Sequence, residues 1–199
     1  NMGMMGLYAL VHLEADAGRH FLGLARSAPP ATPRTFWEAF YPIGWRSELN
    51  EAAARAAVDP YLVAAVVREE SSYNAQARSR VGARGLMQLM PDTAKPMARQ
   101  RGLPFNDGAL LDEPFANLTL GSAHLAGLLK EFGDPRLAVA AYNAGATPVR
   151  QWWKARTTDD LEVFVELIPF TETRGFVRRV MLAWEEYRRL YGSAAGVRP

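Results

Sequence analysis

The sequence predicts an all-α protein. Helix start signals recur along it at Asp59-Pro60, Glu113-Pro114, Asp134-Pro135 and Thr147-Pro148, with Gly133 and Gly145 placed as stops. No run of alternating apolar and polar residues flanked by hairpin turns interrupts the series. The segment YLVAAVVREES at 61–71 is apolar on nearly every side until Arg68, which predicts a central buried helix.

Taken in order, residues 7–26 set Leu7, Leu10, Val11, Ala15, Phe21 and Leu24 near helical spacing. SAPPATPR at 27–34 then breaks the pattern with three prolines. This break suggests an N-terminal helical segment at 1–40, a body at 41–192 and a short tail at 193–199. FWEAFYPIGW at 36–45 is aromatic and contains a proline, and RSELNEAAARAAV at 46–58 reads as an alanine-rich helix. Gly82 and Gly85 mark a loop. The helix opened at Pro114 carries Leu118, Leu125, Leu128, Leu129 and Phe132 as one apolar stripe. A last long helix is expected from about Thr173 to Tyr191, ending before Gly192. The apolar stretch near residue 1 is too short to cross a bilayer and has no basic leader, so it is not expected to be an intact signal peptide.

Composition removes several function classes. With 199 residues, 49% of them apolar, the chain can bury a full core. The 23 basic and 21 acidic residues nearly balance, which is not the charge excess of a dedicated nucleic-acid binder. A mildly cationic surface still suits an anionic polymer. Cysteine is absent, so there are no disulfides, thiolate metal sites or cysteine nucleophiles. His12, His20 and His124 are scattered with no metal-ligand spacing, so neither a metal nor a cofactor is expected.

The most unusual local feature is the pair Glu69 and Glu70 closing the buried helix. Consecutive residues point about 100° apart on a helix, so the two cannot work as a facing pair. Glu70 continues the stripe of Val63, Val66 and Val67, while Glu69 follows Leu62, Ala65 and Val66, and periodicity does not choose between them. Desolvation, the negative end of the helix dipole and the neighbouring like charge would all raise the pKa of whichever is buried, as a general acid requires. The competing structural reading leaves both at the surface, paired with Arg68 or Arg78.

From Arg68 the chain reads REESSYNAQARSRVGARGLMQLMP. This stretch resembles the signature of the soluble lytic transglycosylases, whose catalytic domain has a goose-type-lysozyme-like fold. AAYNAG at 140–145 and IPFTETRGFV at 168–177 are similar to the family's other two motifs, in the family's order, so that the resemblance covers about residues 41–192. By that resemblance Glu70, immediately before the serine, is the catalytic acid and base. Ser79 helps position the sugar, and Gln88 and Met90 line the glycan groove. Tyr142 and Asn143 flank the catalytic carboxyl, with the tyrosine hydroxyl placed to hydrogen-bond it, and Glu172 is a second acid at the cleft that binds substrate. The residue before the catalytic glutamate is often uncharged in the family; here it is Glu69, expected either to raise the pKa of Glu70 further or to form an ion pair.

The resemblance implies a peptidoglycan lytic transglycosylase. It would cleave the β-1,4 bond between N-acetylmuramic acid and N-acetylglucosamine and form 1,6-anhydromuramoyl ends, one glutamate serving as acid and then base. Alternatives are a hydrolytic muramidase on the same fold and a non-catalytic peptidoglycan-binding helical module. Expected partners are glycan strands and proteins of cell-wall synthesis or remodelling, with no nucleic acid and no integral membrane segment. The expected location is the periplasm or cell envelope. Trp152 and Trp153, adjacent on a helix, point apart and are expected to pack in the core.

Overall fold

Asp59 and Pro60 open the central helix as the sequence predicts: the Asp59 carboxylate accepts from the Tyr61 amide at 2.9 Å, and Pro60 occupies the first turn, where no amide hydrogen is needed. The computed structural model describes residues 32–106 and 108–192. Nine α-helices lie among them: α1 Arg34–Phe40, α2 Arg46–Ala56, α3 Pro60–Ser71, α4 Pro91–Gln100, α5 Pro114–Phe132, α6 Pro135–Ala144, α7 Ala146–Lys154, α8 Leu161–Glu166 and α9 Thr171–Tyr191. A 3₁₀ turn at Ala109–Asp112 precedes α5. The described residues contain no strand; the loop after α3 holds only isolated bridges, Arg78 with Arg84 and Arg84 with Leu89. The all-α expectation is met. The expected helix at 7–26 and the tail at 193–199 lie outside the described residues.

Helix α3 is the axis of the fold. Leu62 through Val67 are all buried, enclosed by α9 on one side and α2 on another. Each buried Leu or Val there contributes about 1.5–3 kcal/mol, which outweighs the lower helix propensity of the three β-branched valines in this position. Helix α6 is the second buried element: Leu137 to Ala141 are covered by α5, α7 and α9. Phe40 and Tyr41 belong to the same core as α3, so the chain on both sides of the 40/41 division packs on one body. A smaller apolar cluster of Leu89, Ala94, Ala98, Leu111 and Leu120 joins α4 to α5.

Boundaries differ from expectation where a cap was hard to read. Helix α7 begins at Ala146, two residues before the expected first position at Pro148, because Gly145 rather than Thr147 stands at its N-cap while also ending α6. Helix α9 begins at Thr171, two residues before the expected Thr173, and ends before Gly192 as expected. Asp134 caps α6 through its side chain, whereas Glu113 makes no side-chain cap to α5. The tryptophans diverge as expected. Trp152 meets Phe170 edge-on at 4.9 Å and Trp153 meets Phe164 at 5.0 Å, both packed against the core.

Candidate functional site

Directly after Glu70 the backbone reverses. Ser72, with φ 49°, and Tyr73, with φ 65°, both adopt the left-handed conformation, and the Ser72 amide closes α3 on the Arg68 carbonyl at 3.0 Å. Two side chains hold this turn. The Ser71 hydroxyl donates to the Leu86 carbonyl at 2.7 Å, tying the glutamate-bearing end of α3 to the loop that follows. Tyr73 is buried and its hydroxyl donates to Tyr187 of α9 at 3.0 Å, while Tyr187 donates to the Pro42 carbonyl at 3.0 Å.

The loop at 77–90 is built from nested tight turns. Ser79 exchanges backbone hydrogen bonds with Ala83 and Gly82, and its hydroxyl accepts from the Ala83 amide at 2.9 Å. Gly85 is required: its φ is +78°, and a Cβ there would overlap the Leu111 carbonyl and the Asn117 amide. Within GLMQLMP the side chains separate sharply. Leu86, Met87 and Leu89 are buried, whereas Met90 is 38% exposed. Gln88, itself at φ 44°, spends both amide hydrogens on the carbonyls of Ala77 and Gly85, leaving only its side-chain oxygen to meet a ligand.

Residues with no apparent role in the sequence hold this loop. Asn117 of α5 is fully buried, and its amide accepts from the Met87 backbone at 2.8 Å and donates to the Arg84 and Leu111 carbonyls at 2.9 and 2.8 Å. Asp112 pairs with Arg84 and, at 2.8 Å, with Arg78. The Arg84 hydrogen bond is the largest influence holding the Asp112 carboxyl below its usual value. The sequence did hold one signal for Asn117, an amide inside an otherwise apolar stripe at Leu118 and Leu120.

The three sequence motifs meet around Glu70. It is partly buried, and burial first, the Glu69 charge second and the Glu172 charge third push its carboxyl from the usual 4.5 up to about 8. Glu70 is therefore mostly protonated at neutral pH, as a general acid must be. Among the described residues it makes no ion pair. Glu69 points elsewhere, 2.6 Å from Arg179 on α9 and 4.0 Å from Arg68. Both expectations for Glu69 hold together: it is ion-paired, and it also raises Glu70. Arg78 is not its partner, being engaged by Asp112.

Tyr142 of α6 is near enough for the Glu70 charge to help burial push its hydroxyl well above the ordinary value. Its hydroxyl proton does not go to Glu70, however. It is donated to the Met87 carbonyl at 2.8 Å. Any hydrogen bond between the two must then run from a protonated Glu70 to the phenolic oxygen. The Asn143 side chain accepts from Thr173 at 2.7 Å, joining AYNAG to TETRG. Glu172 is exposed in the first turn of α9, whose start is held by Arg174 donating to the Ile168 carbonyl at 3.1 Å. The His124 ring of α5 lies 5.3 Å from the Tyr142 ring, and burial pushes its pKa down. No hydrogen bond joins Ser79, Gln88 or Met90 to Glu70 among the described residues.

Among the described residues no group of three or more His, Asp or Glu side chains could hold a metal, and no helix is long and apolar enough to cross a membrane. A separate open pocket, lined by Asp59, Tyr61, Glu185, Arg188 and Arg189, lies at the far end of α3 from Glu70 and contains none of the site residues.

Known proteins resemble this chain in sequence and fold. The model of the transglycosylase SLT domain matches residues 47–164. A putative soluble lytic murein transglycosylase of Haemophilus influenzae is 38% identical over 151 residues, covering 75% of this chain and 25% of that protein. The soluble lytic murein transglycosylase of Escherichia coli is 36% identical over 158 residues, covering 77% and 24%. Among solved structures, an inactive mutant of the lytic transglycosylase Slt from Pseudomonas aeruginosa superposes with a TM-score of 0.73 at 34% identity, over 85% of this chain and 27% of that one. The 70 kDa soluble lytic transglycosylase of E. coli gives 0.74 at 33%, over 79% and 26%, and has also been solved in complex with bulgecin A. The chain thus spans about a quarter of the length of these relatives. With the domain model covering more than half of its length and the lysozyme-like helical fold of those structures, this chain belongs to the SLT transglycosylase domain family.

Proposed function

We propose that this chain is the catalytic unit of a peptidoglycan lytic transglycosylase, with Glu70 as its acid and base. The observation that carries the reading is a single carboxyl pushed up to about 8 at the meeting point of three motifs. Protonated Glu70 gives its proton to the leaving glycosidic oxygen while positive charge develops at the muramic acid carbon. The substrate's own N-acetyl group assists. Glu70, now ionised, takes the proton of the muramic 6-hydroxyl as that oxygen closes the 1,6-anhydro ring. Water is not consumed, so no second carboxylate is needed to activate it. A carboxyl with a pKa near 8 suits both halves of this cycle, being protonated before the first transfer and basic enough for the second. The P. aeruginosa relative is inactive with one glutamate changed to glutamine, in keeping with a single acid.

On this reading Tyr142 holds the Met87 backbone while offering its phenolic oxygen to the acid, and Asn143 is aligned by Thr173. Exposed Met90 and the free oxygen of Gln88 line the glycan path, Ser79 helps position the sugar, and Glu172 meets the substrate at the cleft. The catalytic unit runs over 41–192, with 1–40 as a helical brace or the end of a longer helical domain. Glycan strands in the periplasm or cell envelope are the substrate, and proteins of cell-wall synthesis or remodelling are its partners.

Digestion of purified sacculi followed by mass spectrometry tests the proposal. Released muropeptides one water lighter than hydrolysis products are expected, and none from Glu70→Gln. Hydrated ends would make it a muramidase, and absence of release would leave a binding module.

A further inference from the structure

The two carboxylates on the last turn of α3 are treated differently by their surroundings. Glu69 lies 2.6 Å from Arg179 Nε and 4.0 Å from Arg68 Nε. Arg68 is itself fixed: its guanidinium stands 4.5 Å over the Tyr41 ring and 5.2 Å over Phe40, and donates to the Phe40 carbonyl at 2.9 Å. The Arg68 and Glu69 side chains are 12% and 16% exposed, so their charges are screened far less than those of a surface pair. Arg179 reaches them from α9 by lying back along its own helix. Glu172, Gly175 and Arg179 share one face at i, i+3 and i+7, and a methyl group at Gly175 would stand 3.0 Å from the Arg179 guanidinium. The bare glycine leaves that path open.

We propose that Glu69 is a positioning residue acting through Glu70, and that Arg68, Glu69 and Arg179 form a fixed charge triad setting how tightly Glu70 holds its proton. Arg179, 57% exposed at its side chain, is the member most open to solvent. The inference rests on Glu70 being the acid of the proposed reaction. The Glu69 carboxylate is held beside Glu70 by Arg179 at 2.6 Å, with Arg68 at 4.0 Å. Its field therefore opposes loss of the Glu70 proton, and the field of Arg179 offsets part of that effect. The other groups around Glu70 are Glu172 on α9 and Tyr142 on α6, with His124 of α5 behind the tyrosine. Helix α2 turns apolar Leu49, Ala52 and Ala53 inward, and Arg78 and Arg84 are held by Asp112.

The test is the titration of the Glu70 side-chain carboxyl, followed by carbon NMR on the full chain between pH 5 and 10 and assigned by its absence in Glu70→Gln. Glu69→Gln should lower the midpoint and Arg179→Gln should raise it, each by on the order of half to one pH unit. Arg179→Lys, which keeps the charge, should return the midpoint toward the native value. The alkaline limb of kcat/KM on sacculi should move with the midpoints. A merely structural pair would leave the midpoint in place or shift it the same way in both variants, and either result overturns the triad. Because the titration needs no turnover, opposite shifts in a protein that releases no glycan would support the triad while refuting the lytic reading. Normal release with unmoved midpoints would do the reverse.

Discussion

Glu70→Gln should make the protein more stable in alkali, at the expense of its activity. The folded-state pKa of Glu70, about 8, lies above the ordinary 4.5 of an unfolded chain. Between these values the native protein holds a proton that the unfolded chain has released, so stability falls as pH rises through the window. Each pH unit there costs about 1.4 kcal/mol, which gives a loss of up to about 5 kcal/mol that is complete above pH 8 and absent below pH 4.5. Water reaching the ionised carboxylate lowers the measured figure, and a difference of about 2–5 kcal/mol is expected. Glutamine has nearly the same shape and never ionises, so the variant lacks this loss. Urea unfolding at pH 5, 7 and 9, followed by fluorescence of the five tryptophans, measures the difference between the two proteins. Titrations common to both cancel. The two stabilities should stand in constant relation near pH 4.5 and diverge steadily to pH 8, glutamine being the more stable. Parallel curves, within about 1 kcal/mol throughout, would mean that Glu70 is solvated, and the account of its acidity would fall.

Three further outcomes follow from the site. Gly85→Ala should prevent folding or lower the melting temperature severely, since the added carbon meets buried backbone; Gly82→Ala, where φ is +94° and nothing lies within 4 Å, should cost only about 1–2 kcal/mol by calorimetry. Asn117→Ala should cost about 2–4 kcal/mol in denaturant unfolding, because it strands the Met87 amide and the Leu111 carbonyl in the interior and leaves the Arg84 carbonyl with the Leu89 amide alone; an effect under about 1 kcal/mol would show that the loop does not depend on it. Tyr142→Phe should lower kcat on sacculi and move the alkaline limb, if at all, toward lower pH, since the lost phenolic oxygen could accept only from the protonated Glu70; a limb displaced toward higher pH would contradict this.

Much of the scaffold was legible because its signals are local. Asp59-Pro60 and Asp134-Pro135 cap helices by reaching two residues ahead, so no distant partner is needed to recognise them. The burial of α3 follows from a run with almost no polar residue to face water. The candidate site was legible in part. Resemblance selected Glu70, Ser79, Gln88, Met90, Tyr142, Asn143 and Glu172, but it gave no account of what each side chain touches. Asn117 lies 30 residues from the amide it receives, and Arg179 lies 110 from the carboxylate it pairs with. No periodicity reports such a pairing. The hydroxyl of Tyr142 was expected at the acid and goes to the Met87 carbonyl, a choice made by the approach of α6 to the loop.

The sequence by itself determined the helices opened at Pro60, Pro114 and Pro135, the burial of α3 and the presence of two glutamates at its end, because these depend on neighbours a few residues apart. It could not separate Glu69 from Glu70 by spacing, since residues 100° apart can each claim the apolar stripe. Packing decided that. Helix α9 brings Arg179 to Glu69 and no cation to Glu70, so one carboxylate lies in an ion pair and its neighbour is left partly buried with its carboxyl pushed up to about 8. A pKa depends on every charge and dipole within several ångströms, and that set exists only once the chain has folded.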